Sequence, residues 1–358
     1  MQMNITVIVC TFNRSGLLQT ALESIAASEL PAGVAWEILV ADNNSNDATR
    51  AVVEEFISRD PGRFQYVFEP RPGKSNALNA AIAAARGEVL AFADDDVTVH
   101  PRWLCSLTAP LMNGRWAGSG GRVLPQWQSA APVWLDPQSW TVVGPLVQFD
   151  RGLQAGRLDE TPVGTNMAFR KSLFENYGGF RVDLGPCPGS EMRNEDSEFA
   201  RRLLRAGELL YYEPLAIVYH PVQENRLTTD YFLAWWFDKG RSDVRESGIS
   251  SEVRRRVSGI PLCLFRRLIR WVVQWTFTFD RRRRFDCKVR VWKLGGEIVE
   301  SRKAFLRAPV REQEAADGCP EMASAASSNG FRLHPGIAVE ECSAGPENPS
   351  VVGAKREN

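Results

Sequence analysis

Short apolar runs separated by amphipathic stretches organise the first hundred residues of this chain. Ile5–Val9 is apolar at nearly every position, as in a strand covered on both faces. Leu17, Leu18, Ala21, Leu22 and Ile25 then recur at helical spacing, with Ser15 placed to cap the helix. Trp36–Ala41 reads as a second strand. The polar loop Asp42-Asn43-Asn44-Ser45-Asn46-Asp47 follows, with Asp47 at the cap of the next helix. Tyr66–Phe68 is a short third strand, and Pro70-Arg71-Pro72-Gly73 is a turn. Lys74–Ala85 is an alanine-rich helix closed by Gly87, and Val89–Ala93 is a fourth strand. Strand and helix alternate throughout, which predicts parallel pairing with right-handed crossovers.

Past Pro101 the pattern turns irregular. Residues 114–165 are rich in Gly, Pro and Trp and read as mixed strands and loops. A helix returns at Glu195–Ala206, ended by Gly207, and Leu209–Tyr212 and Ala216–Tyr219 read as two further strands. Residues 226–310 are mainly helical. From about residue 311 the composition shifts to Ala, Ser, Gly, Pro and Glu without periodicity, which predicts a disordered tail over 311–358. The four expected divisions are therefore 1–100, 101–225, 226–310 and 311–358. A chain of 358 residues can bury a large core and hold two subdomains. The seven cysteines are scattered, without paired CxxC spacing, which argues against a zinc site or a disulfide framework and fits a reducing compartment. Met1-Gln2-Met3-Asn4 carries no basic n-region, so no secretory leader is expected.

The candidate chemistry begins at Asp94-Asp95-Asp96. The triplet closes the fourth strand, where open α/β sheets bind ligands. Three adjacent acids repel one another, and a cation is their natural partner. Mg²⁺ and Mn²⁺ prefer oxygen ligands and commonly join one or two carboxylates to a substrate's phosphates. The triplet thus points to a metal-held diphosphate, or else to a solvated acidic turn. Gly73-Lys74-Ser75 is not a P-loop, because that motif requires glycine where this chain has Phe68. Lys74 opens a helix, where its charge and free N–H groups suit phosphate; a solvated helix end is the alternative.

Taken in order, Val7–Arg14, Val40–Ser45, Gly73–Asn79, Asp94–Asp96, Gly164–Arg170 and Asn194–Leu203 resemble the family 2 nucleotide-sugar glycosyltransferases over roughly residues 4–240. The resemblance implies the α/β GT-A nucleotide-diphospho-sugar transferase fold. This is a mixed, mainly parallel central sheet flanked by helices, here with a helical C-terminal extension. It implies a nucleotide-sugar-binding half over 1–100 and an acceptor-binding half over 101–225. It implies a UDP- or GDP-sugar donor, Mg²⁺ or Mn²⁺, and inverting transfer to the hydroxyl of a saccharide or lipid-linked acceptor. Thr11, Asn13 and Arg14 would border the nucleotide, and Asp42 would accept from a base N–H; Asp42 also suits a plain turn. Lys74 and Arg226 would contact the donor phosphates. Asp94 and Asp96 would hold metal, and Asp94 and Asp95 are also within the donor set. His220 would join the metal shell, or else be a satisfied structural histidine. Asn166 would lie on the acceptor side. Asp196, paired with Glu195, would take the acceptor's proton. A capping role for this acidic pair, with Asn194 as N-cap, is the structural alternative. Trp103, Trp116, Trp127, Trp134 and Trp140 could stack on sugar rings. The QxxRW pattern of polymer-forming relatives is missing near Trp235-Trp236.

The formal net charge is zero, but the charge is unevenly distributed. Residues 251–310 carry 16 Lys and Arg against 5 Asp and Glu, whereas residues 311–358 carry 4 against 8. Within the basic block, Arg266, Arg270 and Gln274 share one helical stripe, with Arg267 beside it and Leu, Ile, Val and Trp opposite. Each arginine costs about 2.5–3.5 kcal/mol at mid-bilayer, so a spanning helix is not expected. An interfacial helix over 260–290 on an anionic membrane is expected instead, at the cytoplasmic face of the cell membrane. The other reading is a helical pair packed on the catalytic domain. No nucleic-acid-binding module accompanies the charge, so no nucleic-acid partner is expected. Two rivals to the transferase stand. A sugar-nucleotidyltransferase would carry a glycine-rich loop where Thr11–Arg14 lies. A non-catalytic glycan-binding scaffold would not need Asp42, Asp94, Asp96 and Asp196 together.

Overall fold

A computed structural model describes residues 5–248 and 255–307; the tail expected from residue 311 lies outside the described residues. The first half runs β1 (Ile5–Thr11), α1 (Ser15–Ala26), β2 (Trp36–Asp42), α2 (Thr49–Arg59), β3 (Phe64–Phe68), α3 (Lys74–Ala84), β4 (Val89–Asp94), β5 (Thr98–Val99) and α4 (Trp103–Thr108). There follow β6 (Gly118–Trp127), β7 (Gly156–Leu158), β8 (Met167–Arg170), α5 (Ser172–Tyr177), α6 (Glu195–Arg205) and β9 (Leu210–Val222). The C-terminal helices are α7 (Thr229–Ser247), α8 (Leu262–Phe277) and α9 (Arg281–Arg307), with the small hairpin β10 (Arg256–Val257) and β11 (Ile260–Pro261) before α8.

One sheet runs in the order β3-β2-β1-β4-β8-β6-β9-β5, with β7 also on β9. The strands β3, β2, β1 and β4 are parallel, as their apolar runs predict. Reversed in direction, β8 lies antiparallel to both β4 and β6. The two strands expected at 209–219 are a single strand, β9. Its pairing with β6 jumps from Glu213 to Ile217 opposite Gly121 and Arg122. Pro214 has no N–H to give, so the ladder slips by a bulge there and resumes.

Two local expectations change. Ser15 does not cap α1 with its side chain; its N–H donates to Asp47 Oδ2 at 2.9 Å. The other oxygen of Asp47 accepts from Thr49 N at 3.0 Å, so one carboxylate closes the starts of α1 and α2 together. Gly87 does not terminate α3, because the chain is already extended at Ala85. It is glycine because β1 passes so close that a Cβ would lie 2.5 Å from Thr6 N.

Val7, Ile8, Val9, Leu39, Val40, Leu90 and Ala91 are fully buried at the centre of the sheet. A second core of Leu135, Val142, Leu146, Val222, Phe232, Trp236, Phe285 and Val289 fastens α7 and α9 to the end of β9. The two helices meet at glycine: a Cβ on Gly240 would overlap the Lys293 carbonyl, and one on Gly296 would overlap that of Phe237. Asp243 and Lys293 brace the crossing at 2.7 Å, beside the ion pairs of Glu300 with Arg241 and Arg245. The apolar side of α8 is divided. Trp271 lies under Arg290 at 4.4 Å and Trp275 meets Trp292 at 6.0 Å, both on α9. Ile269 and Val273, expected on that same side, stand in solvent with the arginines.

Candidate active site

The C-terminal ends of β1 and β4 open into a cavity of about 1030 Å³. Its floor is Cys10, Thr11, Arg14 and Asp94–Asp96; the start of α3 adds Lys74. The start of α6 brings Glu195 and Asp196, the loop before β8 brings Gly164 and Thr165, the end of β9 brings His220, and the segment after β9 brings Arg226. Residues far apart in sequence meet here because parallel strands all end on one side.

The three aspartates are held by cations of the chain itself. Lys74 Nζ lies 2.8 Å from Asp94 Oδ1 and 3.6 Å from Glu195 Oε1, linking the triplet to the acidic pair. Arg14 reaches Asp95 at 3.2 Å and Asp96 at 3.4 Å, and Arg226 reaches Asp96 at 3.0 Å. His220 Nε2 sits 3.6 Å from Asp96 Oδ1 and 3.3 Å from the Arg226 guanidinium. Burial pushes the Asp95 carboxyl up to about 6, more than Arg14 pulls it down. Burial also raises Asp94, but the Lys74 ammonium together with His220 and Arg14 outweighs it and holds that carboxyl below its ordinary value. Burial likewise lowers His220, keeping the imidazole neutral despite Asp96.

A hard divalent cation fits this donor set. Carboxylate oxygens dominate it, a neutral imidazole adjoins it, and Asp95 holds a buried negative charge that a metal would relieve. Among the described residues no three such side chains already surround one point.

Opposite the triplet, Asp196 Oδ2 accepts from Gly164 N at 2.7 Å and Oδ1 from Ser197 N at 2.6 Å. Gly164 must be glycine, since a Cβ there would sit 2.7 Å from that carboxylate. Glu195 is buried, and burial pushes its carboxyl up to about 7 although Lys74 opposes the shift. Asn194 does not cap α6 with its side chain. Its amide donates to Asp243 at 3.0 Å and Glu246 at 2.8 Å on α7, so capping by Asn194 does not explain the acidic pair.

Some expected site residues lie elsewhere. Asn166 is not on the acceptor side of the cavity. It is fully buried and spends its amide on the carbonyls of Arg122 and Ala216, while its oxygen accepts from Trp103 Nε1. It holds β6, β9 and α4 together, and its neighbour Thr165 is the one that faces the cavity. Asp42 is buried outside the lining, accepting from Ser45 N at 2.9 Å and from the Tyr66 hydroxyl at 2.7 Å. Asn13 ties the loops after β1 and β2 together through Ser45 and Asn46, and Phe12 faces the cavity in its place. Of the five tryptophans offered for sugar stacking, none lines the cavity. Trp103 and Trp116 are buried in the main core; Trp127, Trp134 and Trp140 pack on the second.

The description "Glycosyl transferase family 2" matches residues 6–178. A succinoglycan biosynthesis protein, ExoM, of Rhizobium meliloti (strain 1021) is 30% identical over 244 residues, spanning 68% of this chain and 75% of that protein. The chain belongs to glycosyl transferase family 2. The enzyme is also similar to a glucosyl-dolichyl phosphate glucuronosyltransferase of Haloferax volcanii, 26% identical over 65% of this chain and 75% of the relative. Among solved structures, the mannosyltransferase PcManGT of Pyrobaculum calidifontis, determined with GDP-Man and Mn²⁺, superposes with a TM-score of 0.52. It is 18% identical over 87% of this chain and 77% of its own, and the likeness shows the GT-A fold.

One wall of the transferase's cavity was not foreseen. Tyr231, Trp235, Asp238 and Lys239 project from a single face of α7. Their spacing was readable as a helical stripe, but nothing in it distinguishes a cavity wall from a core face. The tip of the Trp235 ring abuts Gly144, where any Cβ would overlap it, and the ring carries the Arg193 guanidinium at 4.8 Å.

Proposed function

We propose that this transferase moves one sugar from a nucleoside-diphosphate sugar to an acceptor hydroxyl with inversion, using Mg²⁺ or Mn²⁺. The observation that carries the reading is the linkage of Asp94 and Glu195 through Lys74. It sets the triplet and the acidic pair on facing sides of one cavity. Arg14, Lys74 and Arg226 act as internal counter-ions while the site awaits substrate. When a diphosphate enters, they turn to its oxygens, and the carboxylates of Asp94 and Asp96 become free for metal. The bound cation would offset the charge that builds on the departing diphosphate. Asp196 takes the proton of the acceptor hydroxyl. That oxygen bonds to the anomeric carbon from the face opposite the leaving group, and the carbon–phosphate-oxygen bond breaks with its electron pair passing to the nucleoside diphosphate. Gly164 N and Ser197 N hold the Asp196 carboxylate in a fixed orientation for that transfer. Phe12 and Arg14 border the nucleotide, and Trp235 offers an aromatic face to the acceptor.

The acceptor is proposed to be a saccharide, free or lipid-linked, at the cytoplasmic face of the cell membrane. The names of the two relatives, one of polysaccharide synthesis and one of a dolichyl-phosphate sugar, support that class of acceptor. The test is nucleoside-diphosphate release from a panel of UDP- and GDP-sugars, with Mn²⁺ or with chelator, with and without membrane lipid extract. Metal-dependent release with one donor is expected, and Asp196→Asn should abolish it while donor binding survives. Failure to bind any donor would reject the reading.

A further inference from the structure

Among the described residues no helix is long and apolar enough to cross a membrane. Even so, α8 leaves Ile269 at 64%, Val273 at 49% and Phe277 at 74% exposure, and Phe279 just beyond it stands at 93%. The first three recur every fourth residue and form one line along the outer face of the helix. Arg266 and Arg270 lie on that same face, and Arg281–Arg284 follow directly, all exposed. Arg267, on the flank, pairs with Glu297 at 3.5 Å. None of the other six arginines has a carboxylate partner among the described residues.

From this surface we infer that α8 and the turn after it form a docking face for an anionic phospholipid leaflet. Exposed hydrocarbon interleaved with unpaired cations is the composition of a helix lying in the headgroup region. The apolar side chains enter the acyl boundary, and the arginines stay level with the phosphates. The opposite side of α8 is already occupied by α9 through Trp271 and Trp275, so the outer face is the one left for a partner. The same α9 crosses α7 at Gly240 and Gly296, and α7 carries Tyr231 and Trp235 into the cavity. A rigid path therefore joins the lipid-facing helix to the acceptor wall. The inference rests on the membrane location proposed above and not on the reaction.

The experiment is co-sedimentation of the full chain with vesicles of phosphatidylcholine alone or mixed with phosphatidylglycerol, at low and high salt. Binding to the anionic vesicles only, weakened by salt, is expected. Phe277→Ser with Phe279→Ser should abolish it, and each of Arg281→Gln and Arg282→Gln should weaken it about fivefold. Donor hydrolysis in solution should be the same in every variant, which separates lost docking from lost folding. Equal sedimentation of the Phe277→Ser, Phe279→Ser variant and the wild type would overturn the inference, as would no sedimentation of the wild type. A photo-crosslinker at position 279 that captures residues 311–358 or a second copy in the presence of vesicles would overturn it as well.

Discussion

Two walls face each other across the cavity, and they are built on different principles. The wall from β1, β4 and α3 is neutralised from within the chain: Asp94, Asp95 and Asp96 each have a cation of the chain within 3.4 Å. The wall from α6 and α7 is more open. It presents Asp196 beside an aromatic and mixed-charge helix face, Tyr231, Trp235, Asp238 and Lys239. On the proposed reading the first wall receives the diphosphate, a group common to such donors, and can be pre-organised for it. On the same reading the other wall meets the acceptor, with an aromatic and mixed-charge surface.

The sharpest break between the walls is Asp196→Asn. General-base catalysis contributes roughly 10²–10⁴-fold, so kcat should fall about a thousandfold. The donor's Kd should not change, because the first wall is untouched. Isothermal titration with the nucleotide sugar beside single-turnover kinetics checks both halves. Weakened donor binding of similar size would show that the two walls are not separable.

The next break is within the first wall. Lys74→Met leaves Asp94 and Glu195 facing each other without their shared cation. Removing one partner of a buried ion pair is strongly destabilising, and the partial exposure of Lys74 reduces that here to about 2 kcal/mol. Thermal unfolding should show the loss most clearly at pH 8, where both carboxyls must ionise. It should show less at pH 5, where Glu195 is already protonated in the folded state.

How much of this was readable beforehand follows the same division. The strands β1, β2 and β4 are buried on both faces, so a bare apolar run identifies each, and the acids at their ends fall where parallel strands put ligands. Asp94–Asp96 and Lys74 meet where that geometry puts them, and Arg226, expected from the family resemblance, reaches the same cavity. Asn166 misled because its partners, Arg122 and Ala216, lie on strands distant in sequence. An asparagine that satisfies three buried groups looks the same in sequence as one that touches a sugar. The tryptophans misled likewise, since filling a second core and stacking on a ligand call for the same residue. On α8 the expected separation of arginines from apolar residues failed because packing on α9 selects only Trp271, Trp275 and their neighbours.

Glu195 gives an effect of similar size with a definite sign. Its folded value of about 7 lies above the ordinary 4.5. Between those two values the folded state holds a proton that the unfolded state has lost, so stability falls as pH rises through that window. Glu195→Gln removes the titration. The variant should match the wild type near pH 4.5 and exceed it at pH 8 by about 2 kcal/mol in urea unfolding. A constant difference across that range would place the perturbed carboxyl elsewhere.

Trp235→Ala is the smallest expected change and tests the second wall alone. The ring is fixed by Gly144 on one side and Trp236 at 4.9 Å on another, so its position is set before any acceptor arrives. Aromatic contacts of this kind contribute about 0.5–1.5 kcal/mol beyond the area they bury. The acceptor's KM should therefore rise about tenfold while kcat at saturation and donor Kd stay put. Trp235→Phe keeps an aromatic face in the same place and should recover most of the loss. If alanine instead lowers kcat with KM unchanged, the ring is orienting the hydroxyl toward Asp196 and not holding the acceptor. The second wall would then position the reacting group as well as bind it.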